Sequence, residues 1–204
     1  MYSEYHPKAE NKFSYLPTKS RVFILEYVDH LIQRQLSPCT LRNTIGCLHQ
    51  FCGRLTVHNQ GNLPGITKIE IRHYMETLSQ RNLSAGTINN HLVVLKGFFS
   101  YLVDEDCMDK NPVLRRYRVE QAMRLPRPMR EADLQAFLAV LQTPQDRAIF
   151  LLMLRSGLRV GEVSTLKVEH IKWENKNIIV YNGKGKVDRV TYISSDLEAA
   201  LSAW

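Results

Sequence analysis

No apolar run approaches the ~20 residues a bilayer-spanning helix needs, and the opening residues Met1 to Lys8 lack the apolar stretch of a signal peptide. No membrane association is expected, and a cytoplasmic location is. Cysteine is scarce: Cys39, Cys47, Cys52 and Cys107 form no CxxC pair and have no histidines at ligand spacing. A disulfide framework and a zinc site are therefore not expected, nor is any metal or cofactor. Cys47 and Cys52 fall on or near an apolar helical stripe and read as small buried hydrophobes. An acidic excess is missing too. The 27 basic residues outnumber the 20 acidic ones, giving a net charge of +7 and a pI near 9.3. The excess is even, with 15 basic and 11 acidic residues to position 120 and 12 and 9 beyond it. Such a balance fits a polyanionic partner such as DNA.

What is present is room for two small domains, since 204 residues with 44% hydrophobic content suit an ordinary globular chain. Residues 1 to 17 are polar and aromatic without a period and read as a flexible arm. Thr18 or Ser20 can cap a helix from about Lys19 to Gln35, with Ile24, Val28, Leu31 and Ile32 inward. Ser37-Pro38 opens the next helix, which turns Leu41, Ile45, Leu48, Phe51, Cys52 and Leu55 inward and Arg42, Asn43 and His49 outward. Thr67 and Glu70 form a capping box before Ile71, Tyr74, Met75 and Leu78. Ser84 caps a longer helix whose stripe is Ile88, Leu92, Leu95, Phe99 and Leu102, with Asn89, Asn90 and Lys96 on its other side. Residues 18 to 113 are thus expected as a four-helix bundle. From Arg115 and Arg116 to Arg130 the chain is basic and broken by Pro126 and Pro128, which marks 114 to 129 as a linker with a basic face. Helices are expected at about Glu131 to Leu141, Pro144 to Ser156 and from near Ser195.

The most informative stretch runs from Leu154 to Leu166. An apolar helix ends at Gly157, where a residue tolerant of positive φ is needed. A second short helix begins with Arg159 near its start and Glu162 one turn on. Two readings stand: an i,i+3 surface pair, or a planar donor fork held on a rigid junction to grip a phosphate with two N–H bonds. Downstream, the β-branched runs Asn177 to Tyr181 and Val187 to Ile193 flank Asn182-Gly183-Lys184-Gly185-Lys186, a hairpin signal.

Ser156-Gly157-Leu158-Arg159-x-x-Glu162-x-x-x-Leu166 and the Gly183-Lys184-Gly185 hairpin resemble two ordered motifs of the tyrosine recombinases, the phage integrases and Xer-type recombinases. The run from Ser84 to Leu102 resembles the last long helix of that family's core-binding domain, with Asn111-Pro112 at its exit. The resemblance reaches from about residue 20 to the end. It implies a mainly α chain: a SAM-like core-binding bundle that clamps DNA, a linker, and from 130 to 204 the first part of an α+β catalytic domain, incomplete, with a β-hairpin.

By that resemblance the reaction is metal-free DNA breakage and rejoining through a 3′-phosphotyrosyl link. Arg159 would clamp the scissile phosphate, whose oxygens gain charge in the transition state. Lys184 would be the general acid for the departing 5′ oxygen, with Lys186 as its rival and a DNA contact, and Glu162 would orient Arg159. Arg42, Asn43, Asn89, Asn90, Lys96, Arg115 and Arg116 are candidate base or phosphate contacts. Double-stranded DNA is the expected partner, with self-association on it as in the family's tetrameric synapse.

The family's later motifs do not occur in these residues. None of the seven histidines is followed by arginine at the third position. Tyr181 and Tyr192 belong to the hairpin strands, where packing is expected, so neither is expected to be the nucleophile. The 204 residues are accordingly expected to lack catalysis on their own and to leave an apolar patch on the Phe150 helix and hairpin. The alternative function is a DNA-binding remnant or regulator that occupies recombination half-sites without cutting them.

Overall fold

The computed structural model describes residues 4–58, 62–122, 125, 127–181, 183 and 187–204. The chain forms two compact units, Met1–Arg124 and Leu125–Trp204.

Unit 1 is helical: α1 (Tyr5–Lys12), α2 (Thr18–Gln33), α3 (Pro38–His58), α4 (Lys68–Gln80) and α5 (Ala85–Asp104). The apolar stripes read from the sequence are the stripes that pack. Ile24, Leu41, Leu48, Phe51, Ile71, Leu78, Leu95, Phe99 and Leu102 are all fully buried. Phe51 meets Tyr74 and Phe99 edge to face at ring separations of 5.0 and 5.9 Å, the geometry the aromatic quadrupole favours. Helix α4 starts where its capping box demands, with Ile69 N donating to Thr67 Oγ1 at 3.1 Å and Thr67 N to Glu70 Oε2 at 2.8 Å. Helix α5 is central, with Val94 and Phe98 as well as its expected stripe buried.

The expected flexible arm over 1 to 17 contains a helix instead. Tyr5, Ala9, Phe13 and Leu16 are each 5% exposed or less and pack in the unit 1 core. Their spacing is a helical stripe diluted by polar neighbours, and burying a side chain the size of Phe13 is worth about 2–3 kcal/mol. The bundle therefore has five helices among the described residues rather than four. The early part of the basic linker is also docked. Its 3₁₀ turn, Arg115–Tyr117, is followed by Val119, and Tyr117 and Val119 pack against the unit 1 core.

Unit 2 contains α6 (Glu131–Ala139), α7 (Pro144–Ser156), α8 (Val160–Ser164) and α9 (Ser195–Ala203) with strands β1 (Ile171–Lys172), β2 (Asn177–Val180) and β3 (Arg189–Tyr192). The strands make an antiparallel sheet in the order β1-β2-β3, with Ile178 opposite Thr191 and Val180 opposite Arg189. The core joins α7 (Ala148, Leu151, Leu152) to the sheet (Ile178, Val180) and α9 (Leu197, Ala200). Outside it, Phe150 and Leu154 on α7 are 36% and 41% exposed, and Val190 on β3 is 56% exposed. No described helix is long and apolar enough to cross a membrane.

Candidate functional site

Helix α7 stops because Gly157 adopts φ +62°, ψ 26°, which only glycine enters without a Cβ penalty. Leu158 N then donates to Leu152 O at 3.3 Å, which satisfies a carbonyl of the last turn, and the Leu158 side chain is buried at 3% exposure. Ser156, itself buried, locks this corner to β3: its Oγ donates to Tyr192 O, and Thr191 Oγ1 donates to Ser156 O, both at 2.8 Å. Arg155 Nε reaches Asp196 Oδ2 on α9 at 2.8 Å. The backbone entering Arg159 is thus tied on three sides, and Arg159 sits at the N-cap of α8.

Glu162 organises the charges around it. Oε2 accepts from the Arg159 backbone N–H at 2.8 Å, the returning half of a capping box, and Oε1 accepts from Arg159 Nη1 at 2.9 Å. Both oxygens are also held by Arg189 of β3, Nη1 to Oε1 at 2.8 Å and Nη2 to Oε2 at 2.7 Å. Arg189 Nη2 further donates to Gly157 O at 3.2 Å. Chiefly through the Arg189 guanidinium, then the Arg159 backbone N–H, the Glu162 carboxyl is pulled down to about 2. The Glu162 side chain is only 10% exposed, whereas Arg159 is 58% exposed. Two positive charges against one negative leave the cluster at +1, with most Arg159 donors turned to solvent. That surface can take an anionic oxygen pair.

Arg189 is absent from the residues singled out by motif reading. Its partner lies 27 positions away in sequence, so no helical spacing announces the pair. Gly183, part of the hairpin motif in the sequence, has a packing role that the motif does not announce. A Cβ there would stand 2.7 Å from Val187 O, 3.2 Å from Arg189 Nη1 and 3.5 Å from Glu162 Oε1. The mouth of the hairpin thus closes directly on the arginine–glutamate cluster. Lys184 and Lys186 lie outside the described residues. Tyr192, expected to pack, is instead 77% exposed, because it shares the outer face of β3 with Val190 while its adjacent neighbours Thr191 and Ile193 turn toward the unit 2 core. Tyr181 stands edge-on to His170 at 5.0 Å.

In unit 1 the candidate contacts have varied surroundings. Asn43 and Asn90 clasp each other across α3 and α5, Asn90 Nδ2 to Asn43 Oδ1 at 2.9 Å and Asn43 Nδ2 to Asn90 Oδ1 at 3.2 Å. Asn89 Nδ2 donates to Val119 O at 2.8 Å and its Oδ1 accepts from Val119 N at 2.9 Å, so its amide works as a short strand that moors the chain leaving the bundle. Arg42 is exposed, with Nη1 3.4 Å from Tyr5 Oη. The Lys96 side chain is exposed while its carbonyl accepts from Asn111 Nδ2 at 2.9 Å. Arg115 and Arg116 are exposed. Two turns beyond Asn43, α3 carries exposed Gln50, whose Oε1 accepts from Arg81 Nη1 at 3.4 Å, and Arg81 is a further exposed cation that sequence reading did not single out.

Two family profiles match the chain. Phage integrase, N-terminal SAM-like domain, covers residues 24–106, and Phage integrase family covers residues 127–204. A tyrosine recombinase of Pseudothermotoga lettingae is 28% identical over 181 residues, 86% of this chain and 62% of that protein. Tyrosine recombinase XerA of Pyrococcus horikoshii is 31% identical over 105 residues, 52% of this chain and 36% of that protein. The chain thus spans from about a third to three fifths of the length of such relatives. Among solved structures, a lambda integrase (75-356) dimer bound to a COC′ core site superposes with a TM-score of 0.71 at 18% identity, covering 89% of this chain and 65% of that one. The Tn1549 transposon integrase in complex with transposon right end DNA gives 0.64 at 18%, covering 86% and 62%. With a SAM-like helical unit followed by an integrase unit that holds Ser-Gly-Leu-Arg at a locked helix corner, the chain belongs to the phage integrase family, the tyrosine recombinases.

Proposed function

We propose that these residues are the DNA-gripping portion of a site-specific recombinase of the tyrosine type, with Arg159 as the clamp on a backbone phosphate. The observation that carries this reading is the half-exposed Arg159 guanidinium on a braced backbone, in a cluster of net charge +1. A phosphate placed there would accept two parallel N–H bonds from the fork. Those bonds tighten as the non-bridging oxygens gain charge in an in-line displacement. Lys184, from the segment that joins β2 to β3, is the proposed general acid, with Lys186 as a DNA contact. In unit 1, Arg42, Lys96, Arg115 and Arg116 offer exposed charge for phosphates, and the Asn43–Asn90 pair offers amide groups. The partner is duplex DNA, in line with the Tn1549 integrase structures of similar fold, which are complexes with DNA, and self-association on DNA follows from pairing two half-sites.

A second reading is DNA binding without cleavage. The 204 residues contain no His-x-x-Arg, so within them the clamp lacks the further donors that the chemistry of the family implies. Titration of a fluorescent duplex at several salt concentrations tests the binding. Affinity is expected to fall linearly in log–log form, as counterion release requires; salt-independent or absent binding would overturn the proposal. A nicked suicide duplex separates the two readings. No covalent adduct is expected from these residues alone, and an adduct would place a working nucleophile among them.

A further inference from the structure

We propose that Arg189 is a positioning residue for Arg159: by occupying both oxygens of Glu162 it prevents that carboxylate from capturing and neutralising the phosphate clamp. The inference rests on the proposed phosphate role of Arg159 and adds a residue that the catalytic motifs do not contain.

A carboxylate offers about four acceptor positions, and at Glu162 all four are assigned. Two go to Arg189, one to the Arg159 backbone N–H and one to Arg159 Nη1. A guanidinium and a carboxylate left alone pair fork to fork. At i,i+3 on one helix, Glu162 without a competitor would take two Arg159 donors and lay the side chain along α8. The pair would then be neutral. Arg189 already holds the bidentate position, so Arg159 reaches Glu162 through a single side-chain N–H and keeps its remaining donors for another anion. The second positive charge also restores the cluster to +1.

The contact has a further geometric effect. Arg189 begins β3 and reaches back to Gly157 O and Glu162, so the strand leaving the hairpin is pinned to the corner that carries Arg159. Gly183 N donates to Val187 O at 3.1 Å, closing the hairpin mouth against the same guanidinium. One side chain therefore sets the distance between the clamp and the mouth of the lysine-bearing turn.

The test uses the 204-residue chain, a fluorescent duplex, and the variants R159A, R189Q, R189K, E162Q and E162Q/R189Q. In R189Q, affinity is expected to drop about three- to tenfold with a salt slope shallower by roughly 0.9, the loss of one phosphate contact. R189K, which keeps charge but not the fork, should fall between. The decisive variant is E162Q/R189Q. Removing the carboxylate charge returns the cluster to +1, so this double variant should bind more tightly than R189Q. A residue with a merely structural role predicts the reverse, a further loss. In the R159A background, R189Q should add nothing.

A carboxyl titration by NMR without DNA separates failure of this proposal from failure of the phosphate reading. In R189Q the Glu162 carboxyl should rise from about 2 toward the ordinary carboxylate range. If it stays near 2, Arg189 is not its controlling partner and the proposal is overturned. If it rises while wild type and R159A bind DNA alike, the phosphate reading fails and takes the functional half of the assignment with it. Rescue by the double variant together with the titration shift supports both.

Discussion

Replacing Gly183 by alanine isolates the hairpin mouth with one methyl group. The structure sets the magnitude. The added Cβ would lie 2.7 Å from Val187 O, where contacts under 3.0 Å force something to shift, and its other neighbours are Arg189 Nη1 at 3.2 Å and Glu162 Oε1 at 3.5 Å. Val187 O must retreat by roughly half an ångström, which stretches its bond from Gly183 N, now 3.1 Å, past useful length at a cost of about 1 kcal/mol. Arg189 cannot yield freely because Glu162 holds it twice, and overpacking of this kind typically costs about 1–3 kcal/mol. Together about 2 kcal/mol is expected from unit 2. Gly161→Ala is the control, since a Cβ there meets nothing within 4 Å and alanine in a helix gains about 0.5–1 kcal/mol over glycine. Both tryptophans, Trp173 and Trp204, belong to unit 2, so urea unfolding followed by tryptophan emission reports on the right unit. With a urea m-value near 1 kcal/mol/M for a small unit, the midpoint of G183A should fall by roughly 2 M and that of G161A should hold or rise. Equal midpoints for the two variants would refute the close approach of the hairpin mouth to the arginine–glutamate cluster.

Further outcomes follow from the same structure. Phe13→Ala should destabilise unit 1 by about 3–5 kcal/mol, readable as lost hydrogen-exchange protection in α2 and α3; a change under 1 kcal/mol would mean α1 does not pack as described. Glu162 is depressed to about 2, chiefly by Arg189. Its folded pKa lies below the unfolded one, so its stabilisation is complete above the ordinary carboxylate pKa and is lost as pH falls from about 4.5 toward 2; E162Q should flatten that acid limb. His91 is depressed by burial and donates or accepts with Tyr74 Oη at 2.9 Å. Unit 1 should therefore lose stability as pH falls below the ordinary histidine range, and a His91→Gln variant should lose less over that interval. Burial raises the Cys47 thiol to about 11 and the Cys52 thiol to about 12, so a thiol reagent at neutral pH should label exposed Cys39 within minutes and leave those two unmodified until unfolding.

How legible the molecule was in its sequence depends on how far each determinant lies from its partner. Thr67 with Glu70, Ser84 with Thr87 and Gly157 act within one helical turn, and the local pattern places all three caps correctly. The apolar stripes of α3, α4 and α5 repeat over many turns and are equally plain. Helix α1 was missed because Tyr5, Ala9, Phe13 and Leu16 are only one stripe of a polar segment, and its helicity comes from packing on α2 and α3 rather than from propensity. Asn89 looked like a groove-facing amide, but its two bonds go to Val119, 30 residues away. The Arg159–Glu162 pair could be read from i,i+3 spacing, while Arg189, which decides whether that pair is neutral or cationic, is brought in by the β2–β3 register. The i,i+3 ion pair is present, and Arg189 adds a second positive charge to it.

The proposed contact of Arg159 with a backbone phosphate of duplex DNA can be read directly from binding. The most direct measurement is the affinity of wild type and Arg159→Ala for one duplex across 50 to 200 mM salt, with folding of both confirmed by tryptophan emission. If Arg159 grips a phosphate, the variant binds more weakly, with a log–log slope shallower by about 0.9, one phosphate's worth of released counterion. Superimposable lines for the two proteins would contradict it.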